Sequence, residues 1–201
     1  MRKAVIGIAA VVVALTVRDA RASTWVIDPA HTSAQFAVKH LVISTVRGTM
    51  GKVTGSLNLD DQDATKSTLE ATVDATGIDT REAKRDAHLR SPEFLDTAQY
   101  PAITFKSTKI TKVANDHYKV DGDLTIRGVT KPVTLDVEGS PTPLKDPFGN
   151  TKIGGVAKTK FNRKDFGVNW SKTMDNGGLV VGDDVDVTID VELVQKAAAG
   201  S

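Results

Sequence analysis

The sequence predicts an all-β domain of about eight antiparallel strands with one short helical insertion. Three observations point there. Apolar and polar residues alternate with a period of two over most of the chain between residues 34 and 193. Short turns, not helical crossovers, join most of the alternating runs. A single segment, residues 80–90, reads as helix. Long strands with one apolar face, taken in chain order, suit an up-and-down barrel or a sandwich, and alternation alone leaves both open.

Residues 1–22 stand apart from this pattern. Arg2 and Lys3 precede an uncharged apolar run of 14 residues from Ala4 to Val17, and Ala20-Arg21-Ala22 has the small-x-small form of a signal peptidase site. A helix of that length reaches only ~21 Å, short of a ~30 Å hydrocarbon core. The segment is therefore expected to be a cleaved export signal. It carries Arg2, Lys3, Arg18 and Arg21 against Asp19, a net +3, so the remainder of a chain at +1 stands at −2. A slightly acidic domain argues against nucleic acid as a partner. With no cysteine, an exported fold rests on its core and hydrogen bonds, without disulfides. The expected organisation is a signal at 1–22, one domain at 23–195 and a flexible tail at 196–201.

The strands follow in order. Ala34, Phe36 and Val38 form the apolar side of the first, and Val53 to Leu59 the second, ending at Asp60-Asp61. Leu69 to Ala75 is the third. Ile103 and Phe105 begin the fourth. Tyr118 to Ile126 is the fifth, with Gly122 marking a bend or bulge. Val133, Leu135 and Val137 form the sixth, Ala157 to Phe161 the seventh, and Val185 to Leu193 the eighth and most regular. "DLTIRGVTKPVTLDV" (123–137) reads as a hairpin bent at Gly128–Pro132, with Thr125, Arg127, Thr134 and Asp136 on its wet side. In the helix, Asp79 is the expected cap and Glu82 its capping-box partner. Ser91-Pro92 opens a further turn, and the proline-rich segment 140–150 reads as a long loop.

Chemistry-bearing patterns are sparse. There is no nucleophile elbow and no phosphate-binding glycine loop. The four histidines, His31, His40, His88 and His117, lack ligand spacing, so no metal site is expected. In "FNRKDFG" (161–167), Arg163 and Asp165 read as an ion pair at a barrel end or as polar anchors for a ligand head group. Arg81, Lys84, Arg85 and Arg90 on the helix read as a solvated face or a docking face for anionic lipid.

Four blocks in order, "WVIDPAHTSAQFAVKHL" (25–41), "DAHLRSPEFLD" with "YPAITFKST" (86–108), "GDLTIRGVTKPVTLDV" (122–137) and "FNRKDFG", resemble the YceI family. The resemblance implies an eight-stranded antiparallel up-and-down barrel similar to lipocalins, in an exported, periplasmic protein. It also implies a polyisoprenoid, isoprenoid quinone or similar amphiphile in the lumen, and homodimers occur in such a family. It brings no catalytic residue, metal or required cofactor. A barrel of eight strands is just wide enough to be filled by side chains or to hold one slender ligand. Many inward candidates here are Val, Ala or Thr, which favours a tunnel. The expected apolar lining is Phe36, Val38, Leu57, Phe105, Leu124, Ile126, Leu135, Val137 and Phe161, with Arg163 and Asp165 as head-group contacts. The expected function is lipid carriage, storage or envelope protection, with transient membrane contact at most. Two alternatives remain: an interaction or stress protein with an incidental cavity, and an enzyme using His31, His40 or His88 for acid–base work.

Overall fold

A computed structural model describes residues 22–139, 142–172 and 180–197. The expected export signal lies outside these residues apart from Ala22, as does most of the expected tail. In chain order the strands are β1 (Ala22–Ile27), β2 (Ser33–His40), β3 (Ser44–Thr49), β4 (Val53–Asp60), β5 (Thr68–Asp74), β6 (Ala102–Ala114), β7 (His117–Ile126), β8 (Val129–Glu138), β9 (Leu144–Lys145), β10 (Thr151–Asn162) and β11 (Val181–Gln195). Helix α1 (Ala83–Arg90) lies between β5 and β6.

The strands form eight staves. β1 and β2 run along the same side of β11, with Ile27 opposite Leu193 and Ser33 opposite Asp190, so they are one stave broken at residues 28–32. β3 and β4 follow them the same way, with Thr49 opposite Gln35 and Ser56 opposite Val26. β5, β6, β7, β8 and β10 come next, each antiparallel to its neighbour. β10 pairs along β11 from Lys152–Val194 to Asn162–Asp184, which closes the barrel. Closure removes the sandwich alternative and places α1, the 41–43 turn, the 127–128 turn and the segment after β10 at one end.

Several local expectations change. The β7–β8 turn is Arg127-Gly128, with φ of 51° and 74°, because Ile126 pairs directly with Val129. This is a two-residue turn with positive φ at both positions, and Pro132 lies inside β8. The bulge expected at Gly122 is on β6, where the register slips between Ser107 and Lys109. Gly122 is needed for another reason: a Cβ there would sit 2.4 Å from the Phe105 ring. The N-cap of α1 is Glu82, which accepts from the amides of Lys84 and Arg85. Asp79 instead accepts from the Arg81 amide. Segment 140–150 is not wholly loop, since Leu144–Lys145 pairs with Thr151–Lys152.

Candidate ligand cavity

The barrel encloses a cavity of about 700 Å³. Its wall draws on every stave because each strand turns alternate side chains inward. Phe36, Val38, Leu57, Phe105, Leu124, Ile126, Leu135, Val137 and Phe161 all lie on that wall. So do the apolar residues of β11 from Val185 to Leu193. Sequence reasoning left them out of the lining although their alternation is the most regular in the chain. Seven of the chain's ten Phe, Tyr and Trp residues are on the wall, but between them Ala34, Ala71, Ala157 and the backbone of Gly154 and Gly155 take part. Small side chains leave the centre of the barrel open.

The charge-bearing residues on the wall are all basic among the described residues: Lys39, His40, Lys84, Arg85, His88 and Arg163. The topology puts them at one end. His88 on α1 stacks edge-on against Phe94 and Trp170, with ring centroids 4.8 and 5.1 Å away. Arg163 holds the Trp170 carbonyl at 2.7 Å and the Gly182 carbonyl at 2.9 Å. Val181, beside Gly182, pairs with His40. The aromatic group at this mouth carried no signal in the sequence, since it joins residues more than seventy positions apart.

Arg163 is not paired with Asp165. It is 5% exposed, and its guanidinium also donates to the Val168 carbonyl at 2.6 Å and to Asp183 at 3.1 Å. Burial lowers its pKa below the ordinary arginine value, and the Asp183 charge and hydrogen bond partly offset this. Arg163 is thus a clamp that ties the segment after β10 to the start of β11. Asp165 is exposed and off the lumen wall. The ion pair expected within "RKD" is corrected: the partner of Arg163 is Asp183, twenty residues away, and the local spacing hid it. Arg163 itself stays on the wall.

The helix is fastened in a similar way. Asp86, buried, accepts from the Thr80 amide at 2.8 Å and its hydroxyl at 2.5 Å. These hydrogen bonds, Thr80's hydroxyl first, hold its carboxyl below the usual range despite desolvation. Arg85 donates to the Thr80 hydroxyl and carbonyl, and Arg90 to the carbonyls of Thr76 and Ile78. Two of the four helix cations are therefore occupied with the backbone beneath them.

The histidines divide. His40 and His88 line the mouth, and His88 Nε2 lies 2.5 Å from Glu93. His31 is off the wall, 2.8 Å from Asp28 and 3.6 Å from Glu192. Asp28, His31 and Glu192 have the reach to hold a metal ion. However, the Lys152 ammonium sits 2.6 Å from Glu192 and 3.8 Å from Asp28, so a cation already belongs to the chain there.

Comparison with known proteins decides the family. The sequence profile of the YceI-like domain matches residues 25–193. The chain belongs to the YceI family. It is 36% identical to protein YceI of Escherichia coli O17:K52:H18, over 98% of this chain and all of the relative. A crystal structure of the Campylobacter jejuni YceI protein superposes with a TM-score of 0.66 at 32% identity, covering 79% of this chain and 90% of that one. A polyisoprenoid-binding domain from Saccharophagus degradans, implicated in plant cell wall breakdown, has a TM-score of 0.59 at 12% identity, covering 86% and 98%. At that identity it shares the fold alone. The eight-stranded YceI-type barrel is common to all of these structures.

Proposed function

We propose that this protein is an exported, non-catalytic carrier or reservoir for one long apolar molecule of the polyisoprenoid or isoprenoid-quinone class, held in the barrel lumen in the periplasm. The apolar cavity of about 700 Å³ within the barrel carries this reading. It falls within the ~300–1,000 Å³ typical of ligand pockets. Each ~100 Å² of tail taken from water contributes ~2.5 kcal/mol before association costs. A chain of several isoprene units therefore binds through its tail without needing a specific polar contact. The polyisoprenoid binding of the Saccharophagus degradans barrel supports the ligand class. The tail points away from α1, and the polar end rests at the helix end, because the charge-bearing wall residues gather there.

Native mass spectrometry of protein purified from its host, with organic extraction, tests the proposal. A stoichiometric lipid is expected, together with saturable uptake of added polyprenol or quinone. Protein that is lipid-free as purified and takes up neither probe overturns it.

A further inference from the structure

The mouth of the lumen carries a turn that the barrel alone does not explain. β2 passes into β3 through Leu41, Val42 and Ile43, and the Ile43 amide donates to the His40 carbonyl at 3.2 Å. Leu41 and Val42 have φ of 53° and 64°. The loop has three residues, since His40 pairs with Ser44, and positive φ at its first two positions is a backbone that Asn and Gly adopt without strain. A β-branched residue there is an outlier. Leu41 is half-buried, but the other two side chains gain little from packing in return: Val42 is 71% exposed and Ile43 85%. The turn is therefore both strained and greasy, at the point where His40 reaches the cavity wall.

Cations surround it. Arg47 lies on the outward face of the same hairpin, because it pairs with Ala37 while Val38 and Val46 face in, and Lys39, which pairs with Thr45, is exposed at the rim of the mouth. Lys84, at the start of α1, lines the same mouth, and Arg81 follows the Thr49–Asp79 bridge at the far end of β3. The side chains of these four have no ion pair among the described residues. Of the nearby carboxylates, Glu93 is engaged with His88, Asp183 with Arg163 and Lys164, and Asp86 with Thr80, while Asp79 and Glu82 accept from backbone amides at the helix start and Asp186 lies across Ala37 from Arg47. The opposite end also exposes apolar residues, Leu144 and Phe148. There, however, Asp146 builds the turn by accepting from the amides of Phe148 and Asn150, and Asp146, Asp28 and Glu192 crowd Lys152.

We propose that Leu41–Ile43 is a membrane-docking tip. It enters the interfacial layer of a bilayer rich in anionic phospholipid, while Lys39, Arg47 and Lys84 meet the head groups. Docking in this way sets the mouth of the lumen against the bilayer, so that a tail passes between membrane and barrel without crossing water. The role rests on the lumen holding a lipid, but its test is separate.

The turn makes a discriminating variant available. Leu41→Asn with Val42→Gly supplies residues that take positive φ readily, so it relieves the backbone, and with Ile43→Ser added it also removes all three apolar side chains of the tip. Wild-type protein is expected to sediment with vesicles of phosphatidylglycerol and phosphatidylethanolamine, less so as salt is raised, and to leave pure phosphatidylcholine vesicles mostly unbound. The triple variant is expected to lose roughly tenfold or more in vesicle binding. Its Tm is expected to rise by roughly 2–4 °C. Uptake of quinone delivered from detergent should be unchanged, while extraction of quinone from vesicles slows. Undiminished vesicle binding by the variant overturns the docking role, as does wild-type protein that ignores anionic vesicles. Failure of both proteins to take quinone from detergent counts against the lumen reading instead.

Discussion

Replacing Arg163 by Met keeps an apolar stem of similar length and removes the guanidinium fork. The loss follows from what the fork holds. Its nitrogens donate to the carbonyls of Val168 at 2.6 Å, Trp170 at 2.7 Å and Gly182 at 2.9 Å, and to the Asp183 carboxylate at 3.1 Å. The Val168 site is buried, so its carbonyl stays unsatisfied in the variant, at about 1–3 kcal/mol. Trp170 and Gly182 recover part of their bonding from water. Asp183, 27% exposed at its side chain, loses its least solvated cation. The total is ~3–5 kcal/mol, the usual range for removing one member of a buried charged network. For a domain of this size, that lowers Tm by roughly 6–20 °C. Urea unfolding followed by circular dichroism, and a thermal scan, measure it. Arg163→Lys should fall between the two, since an ammonium cannot reproduce the fork. An Arg163→Met protein within about 1 kcal/mol of wild type refutes the clamp, because the solvent would then be serving those carbonyls as well.

Other outcomes are expected. Val191→Phe, on the lumen wall opposite Gly155, should narrow the cavity and cut lipid uptake by about tenfold or more with little loss of Tm; unchanged uptake places the ligand elsewhere. Gly122→Ala puts a methyl 2.4 Å from the Phe105 ring and 2.5 Å from the Lys106 carbonyl, so a destabilisation of ~1–3 kcal/mol is expected, partly relieved by Phe105→Leu in a double-mutant cycle. Stability should also depend on acid. Hydrogen bonds from His31, Thr76 and Thr80 hold the carboxyls of Asp28, Asp74 and Asp86 below their ordinary values. A lowered folded pKa gives stabilisation that is complete above the unfolded value of ~3.9 and is lost as pH falls through the folded one. Calorimetry should show Tm nearly level from pH 7 to about 5 and falling below about 4; a Tm that holds at pH 3 contradicts these contacts.

The eight expected strands correspond to β2, β4, β5, β6, β7, β8, β10 and β11, one in every stave. Each was legible because a barrel wall is dry on one face and wet on the other. β1 and β3 were not, because they are the shorter pieces of broken staves and their alternation spans only a few residues. Pro132 misled for an instructive reason. It pairs with Asp123 at a position of the β7–β8 ladder where its nitrogen points away from β7. On that side β10 pairs only with Asp136–Glu138, so the missing N–H leaves no ladder bond unmade. The apolar wall positions followed directly from alternation. The polar contacts did not: Arg163 with Asp183, and His88 with Trp170, depend on how distant segments fold over one end, and local spacing holds no record of that.

The double partnership of β11 also bears on how the barrel is assembled. One flank of this strand covers β10, and the other covers β1 and β2 in succession. Before it docks, the meander is an open sheet with two bare edges, each a template for pairing with another chain. A single fifteen-residue segment, Val181–Gln195, removes both together. Its contacts with β1 and β2 span most of the sequence, so they carry the largest loop-closure cost and belong late in folding. During that interval the chain is most exposed to aggregation, and a chaperone that covers β10 or β2 would protect it there.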